Sequence, residues 1–115
     1  MKAHGLAKRE RLTRRRDFEA VYAAKRSAAD ERLVVCVRAN DLGLSRIGRS
    51  VAGKWGNACR RNRFRRLVVE AFRLHKAEIP VGFDLVVIPR RTIELGLDEV
   101  SESLVTLCRK VCKST

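Results

Sequence analysis

Apolar positions along the chain repeat with two different periods. From Leu12 to Lys25 they recur at helical steps, with Phe18, Val21 and Tyr22 on one face and Thr13 placed to cap, so a first helix is expected over residues 14–26. Leu33-Val34-Val35-Cys36-Val37 is a short β-branched run, Asn40-Asp41-Leu42-Gly43 offers a turn, and residues 44–51 follow as a second strand, which together read as a hairpin. Gly53 and Gly56 then break the pattern, Asn57 can cap, and a long helix is expected to end near Ala77, ahead of Pro80 and Gly82. Phe83 to Ile88 reads as a third strand that stops at Pro89. It is too apolar on both faces for a sheet edge in water. In the last element Leu97, Val100, Leu104, Leu107, Cys108 and Val111 recur at three- and four-residue steps; Asp98, Glu99 and Glu102 open this helix and Arg109, Lys110 and Lys113 close it, complementing the helix dipole. The order α-β-β-α-β-α suits one α+β domain over residues 1–115, with 1–12 expected as a basic, mobile tail.

Composition adds a partner to this outline. The 115 residues are 45% hydrophobic with two prolines and seven glycines, enough for a core and against disorder. Lys and Arg number 26 against 13 Asp and Glu, so the formal charge is +13. A folded domain spreads that excess over its surface and repels itself unless a polyanion answers it. Nucleic acid is the leading candidate, and an anionic membrane surface comes second. No apolar stretch approaches the roughly 20 residues that span a bilayer, and the basic N-terminus lacks the apolar run of a secretory signal, so an intracellular protein is expected. Reduced thiols follow for Cys36, Cys59, Cys108 and Cys112, whose spacing lacks the close pairs of a structural zinc site.

The charge is concentrated. Arg46, Arg49, Lys54, Arg60, Arg61, Arg63, Arg65 and Arg66 fall in one stretch that holds no acidic residue. Five of them lie in the opening turns of the central helix, where the dipole disfavours cations by roughly 0.3–1 kcal/mol each. A solvated helix face would carry interspersed acids. Free backbone N–H groups, the dipole and guanidinium forks all favour an anion here, so the helix start reads as a phosphate site. On a helical wheel Phe64, Leu67, Val68, Ala71 and Phe72 form the stripe that faces the sheet, with Asn62, Arg66 and Arg73 opposite it. Arg61 and Arg65 line one margin and Arg63 the other. Arg60 falls on the apolar azimuth, which requires the first turn to overhang the sheet.

A second basic cluster, Lys8, Arg9, Arg11, Arg14, Arg15 and Arg16, leads into Phe18 and Tyr22. Those two rings either belong to the core or stack on unpaired bases beside a basic groove. Trp55, ahead of the proposed cap, reads as a packing plug. Catalysis by the protein alone has little support: the acids are scattered, and His4, His75 and Cys59 show no evident partner.

The run from Gly48 to Ala58 (GRSVAGKWGNA), followed by Arg61-Asn62-Arg63-Phe64-Arg65-Arg66 and Glu70-Ala71-Phe72-Arg73, resembles the signature of the bacterial ribonuclease P protein component. Asp17-Phe18 with Val21-Tyr22, and the late strand closing at Pro89-Arg90, extend the resemblance over most of the chain. It implies a mixed α/β sandwich with a left-handed crossover around the central helix, against the usual right-handed rule. It further implies a small cytoplasmic subunit that binds a catalytic RNA and helps it remove the 5′ leader of precursor tRNA, the RNA holding the magnesium and doing the chemistry. Carried over by position, Arg49, Lys54, Asn57, Arg60, Arg61, Asn62, Arg63, Arg65 and Arg66 would face the catalytic RNA. Arg14, Phe18, Tyr22 and Cys36 would line the leader cleft. Ala52-Gly53-Lys54 stands where Ser-Lys-Lys is frequent in that family, and Cys36 where an aromatic is frequent. The alternative is a non-catalytic RNA-binding protein of ribosomal type.

Overall fold

The structure is a computed structural model that describes residues 8–52, 55–90 and 95–112. Helix α1 (Arg15–Ala23) leads into strands β1 (Arg26–Ala29), β2 (Leu33–Ala39) and β3 (Arg46–Arg49), then α2 (Ala58–Leu74), β4 (Phe83–Pro89) and α3 (Leu97–Cys112). Two short 3-10 turns lie at Lys8–Glu10 and Lys76–Glu78. The strands form one mixed sheet in the order β1-β2-β4-β3, antiparallel except for the parallel pair β3 and β4, which is joined through α2.

Three expectations are corrected by this architecture. The first helix ends at Ala23, because Lys25 enters the left-handed region (φ 56°) and turns the chain into β1. Residues 26–29 are therefore an edge strand paired with β2, although their small side chains carry little strand propensity. Thr13 does not cap; Arg14 occupies the N-cap position with no side-chain hydrogen bond. The proposed hairpin is absent: β4 inserts between β2 and β3 and pairs with both, Leu33 opposite Pro89 on one side and Arg46 beside Asp84 on the other. Being apolar on both faces, β4 gains most from the interior position that the sequence assigned to it. Asn40 ties the turn to that arrangement, its Nδ2 donating to Leu44 O (3.2 Å) and to Asp84 Oδ1 (2.8 Å).

The sheet is covered on both faces. The main core packs α2 and α3 against it through Val35, Val37, Ile47, Phe64, Val68, Phe72, Leu85, Leu104 and Cys108. A smaller core under α1 joins Leu12, Val21 and Val86 to the half-buried Phe18, Cys36 and Ile88. Of the tail expected at residues 1–12, the described part, 8–12, lies along β3: Leu12 is buried and its N–H donates to Ile47 O at 3.0 Å.

Candidate nucleic-acid interface

The start of α2 is built from its cap outward. Asn57 takes an extended backbone and its Oδ1 accepts from Arg60 N–H at 2.9 Å, meeting one of the free amide donors of the first turn, which holds no acidic residue. Burial of Phe64, Val68, Ala71 and Phe72 fixes the helix's rotation. Asn62, Arg63 and Arg66 are thereby exposed, and Arg61 and Arg65 sit half-buried at the margin. Arg61 Nη1 donates to Gly56 O (2.6 Å) and Arg65 Nη1 to Asn62 Oδ1 (2.8 Å), so both forks are partly ordered. The awkward azimuth of Arg60 is resolved by Trp55: the guanidinium lies 5.8 Å from the centre of that ring. Trp55 itself is only 9% exposed and tilts against Phe64 at 5.5 Å, as a plug does.

Arg49, at the end of β3, is half-buried. Burial lowers its pKa from the ordinary arginine value, and the charges of Arg11 and Arg65 act in the same direction. The structure thus gathers Arg49, Asn57, Arg60, Arg61, Asn62, Arg63, Arg65 and Arg66 around one end of α2. Lys54 lies outside the described residues, as does His4.

The α1 side divides the other predicted residues. Phe18 is packed: a Cβ added to Gly48 would fall 2.8 Å from Phe18 Cζ, so the ring rests directly on that glycine. Cys36 shares the same small core, and burial raises its thiol pKa. Tyr22, 41% exposed, is the aromatic that α1 presents outward. Arg14 is exposed and borders an open basic cleft of about 360 Å³ together with Lys8, Arg9, Arg11, Arg16 and Arg46. Arg46, counted above with the basic stretch, is committed inside the protein. Its Nε and Nη2 form a fork on Asp84 Oδ1 and Oδ2 at 2.7 Å each, and Asp17 lies 3.8 Å from Nη1. Burial would raise the Asp84 carboxyl, but the hydrogen bonds from Arg46 and Asn40 and the charges of Arg46 and Arg38 outweigh it and hold it below the ordinary value. A lone aspartate within the apolar run 83–88 was the sequence signal for such a partner.

Among the described residues no group of three or more His, Cys, Asp or Glu side chains comes together as metal ligands. His75, at the C-terminal end of α2, meets Glu78 at 2.9 Å. What the geometry offers is recognition of an extended polyanion.

Comparison with known proteins agrees in sequence and in shape. A family model described as Ribonuclease P matches residues 6–112. The ribonuclease P protein component of Thermotoga maritima is 41% identical over 109 residues, covering 90% of this chain and 93% of that one. A solved structure of the Thermotoga maritima protein superposes with a TM-score of 0.81 at 40% identity over 89% of this chain and 97% of that one. The Staphylococcus aureus ribonuclease P protein superposes with a TM-score of 0.74 at 30% identity, covering 90% and 93%.

Proposed function

Because the chain belongs to the ribonuclease P protein family, it is the protein component of a ribonucleoprotein that processes tRNA, and we propose how its two basic surfaces divide that work. The α2 surface, Arg49, Asn57, Arg60, Arg61, Asn62, Arg63, Arg65 and Arg66 with Lys54, receives the catalytic RNA. The α1 surface, Arg14 and Tyr22 above the packed Phe18 and Cys36, receives the single-stranded 5′ leader of precursor tRNA. The observation that carries this reading is the start of α2, where arginines and helix N–H donors share one end without a carboxylate in the first turn.

Magnesium belongs to the RNA in this proposal. The buried carboxylate Asp84 is taken up by Arg46 and Asn40 and does not suit a hydrated cation. The whole chain acts as one domain, since β4 contributes Val86 to one core and Leu85 and Val87 to the other. It works in the cytoplasm, where bacterial precursor tRNA is made; among the described residues no helix is long and apolar enough to cross a membrane.

Reconstitution tests the proposal. Added to a matching catalytic RNA at low magnesium, the protein should restore leader removal, and the protein without RNA should cleave nothing. RNA binding with no effect on cleavage would overturn the proposed division of work between the two surfaces. Replacing Arg61, Arg63 and Arg65 by alanine should weaken RNA binding and reduce its salt dependence, by a slope of roughly 0.7–0.9 per lost phosphate contact.

A further inference from the structure

Arg49 differs from the other arginines around α2. It stands on β3, an edge strand, with its side chain half-buried, and among the described residues no carboxylate or carbonyl accepts from its guanidinium. Its charged neighbours are Arg11 and Arg65. Arg11 is brought there because the N-terminal segment runs beside β3, pairing with Ile47 as an isolated parallel bridge next to the Leu12 N–H to Ile47 O bond. Arg65 comes from the margin of α2, where Asn62 holds one of its nitrogens at 2.8 Å. Three arginines from three separate segments thus come close enough for the charges of two to act on the third.

That arrangement is unfavourable in the free protein. Partial burial removes water from a charge, and two like charges nearby add repulsion; both effects depress the pKa of Arg49. The same chain neutralises other arginines: Arg46 on the same strand has Asp84, and Arg32 has Glu102. Among the described residues no acid answers Arg49 where Arg11 and Arg65 act on it, which is the pattern of a site whose counter-charge arrives with the ligand.

We propose that Arg11, Arg49 and Arg65 form a clamp for a single phosphodiester group of RNA, at the seam between the N-terminal segment, β3 and α2. The proposal rests on the RNA-binding reading above and sharpens it. The two non-bridging oxygens of one phosphate accept from several guanidinium N–H donors at once, and its charge cancels the repulsion among them. Arg11 also borders the cleft that contains Arg14. The clamped nucleotide therefore sits where the α2 surface and the α1 surface meet.

Methionine at each position keeps an apolar stem and removes the charge. In thermal melts of the full chain at constant ionic strength, exchanging chloride for inorganic phosphate should raise the midpoint of the unaltered protein more than that of Arg49→Met, whose remaining shift comes from the other basic surfaces. Equal shifts in both would overturn the clamp. In titrations with the catalytic RNA, Arg11→Met, Arg49→Met and Arg65→Met should each lose about tenfold in affinity. The triple variant should lose little more than any single one, because the three share one ligand group. Losses that add across the three would show separate contacts and overturn the clamp while leaving the RNA-binding role intact. Should the catalytic RNA fail to bind at all while the phosphate shift still depends on Arg49, the functional reading falls and takes the RNA ligand of the clamp with it, leaving a site for free phosphate.

Discussion

Asp84 and Arg49 show two fates of a charge in a small fold. Asp84 is wholly buried and pairs with Arg46, so the ion pair becomes part of the structure. Its carboxyl titrates below the unfolded value of about 3.9. The stability it contributes is therefore present above that value and is lost as pH falls through the lower, folded-state value. Asp84→Asn should cost about 3 kcal/mol near neutral pH, by leaving Arg46 without its main counter-charge. Urea midpoints followed from pH 7 to pH 3 should show the gap between the two proteins narrowing below about pH 4. A gap that stays constant would mean that the ion pair adds nothing to stability. Asp30 is also held low, as hydrogen bonds from Ser103, Leu33 and Arg32 outweigh its burial, so the acid limb of the unaltered protein has a second contributor. Phe18 illustrates what a residue read alone conceals. Its spacing from Tyr22 fits core and stacking equally, and the choice is made by Gly48, thirty positions away, whose missing side chain admits the ring.

Among the elements, α2 joins two demands in one stretch. Asn57 caps it through the Arg60 N–H, while the arginines that follow oppose the dipole. Asn57→Ala should lower stability by about 1 kcal/mol. Asn57→Asp should restore the cap, since aspartate accepts the same hydrogen bond, yet bring a negative charge into the RNA surface. Thermal melts and RNA titrations of the two variants should consequently diverge: alanine loses stability, and aspartate keeps stability and loses affinity. If Asn57→Asp bound RNA as well as the unaltered protein, the helix start would lie outside the interface. Elements with a long, unbroken period, α2, β4 and α3, are legible in the sequence because their burial follows their own spacing. β1 is not, because Arg26-Ser27-Ala28-Ala29 becomes a strand only by pairing with β2. The hairpin misleads for the converse reason: a good local turn is overridden by the more apolar β4.

Over the whole molecule, charge is sorted by place. Acids gather where the β1–β2 turn meets the start of α3, with Asp30, Glu31, Asp98, Glu99 and Glu102, while arginines gather where α2 begins. The four cysteines report on this layout. Cys59 is exposed on the first turn of α2, whereas Cys108 and Cys112 are buried; burial raises the Cys108 thiol and pushes Cys112 up to about 11 despite Arg26 nearby. An electrophilic thiol reagent should thus modify Cys59 ahead of both in the native protein, and saturating catalytic RNA should slow that reaction. Unchanged reactivity with RNA bound would remove the start of α2 from the contact surface. The excess of basic charge, its concentration at one helix end and the family were readable from the chain alone, because charge count, periodicity and a contiguous motif are properties of neighbouring residues. Strand order, the packing of Phe18 on Gly48, the commitment of Arg46 to Asp84 and the meeting of Arg11, Arg49 and Arg65 were decided only in three dimensions. Each depends on which distant segment fills the space beside a residue, and that is settled by competition for burial across the whole fold.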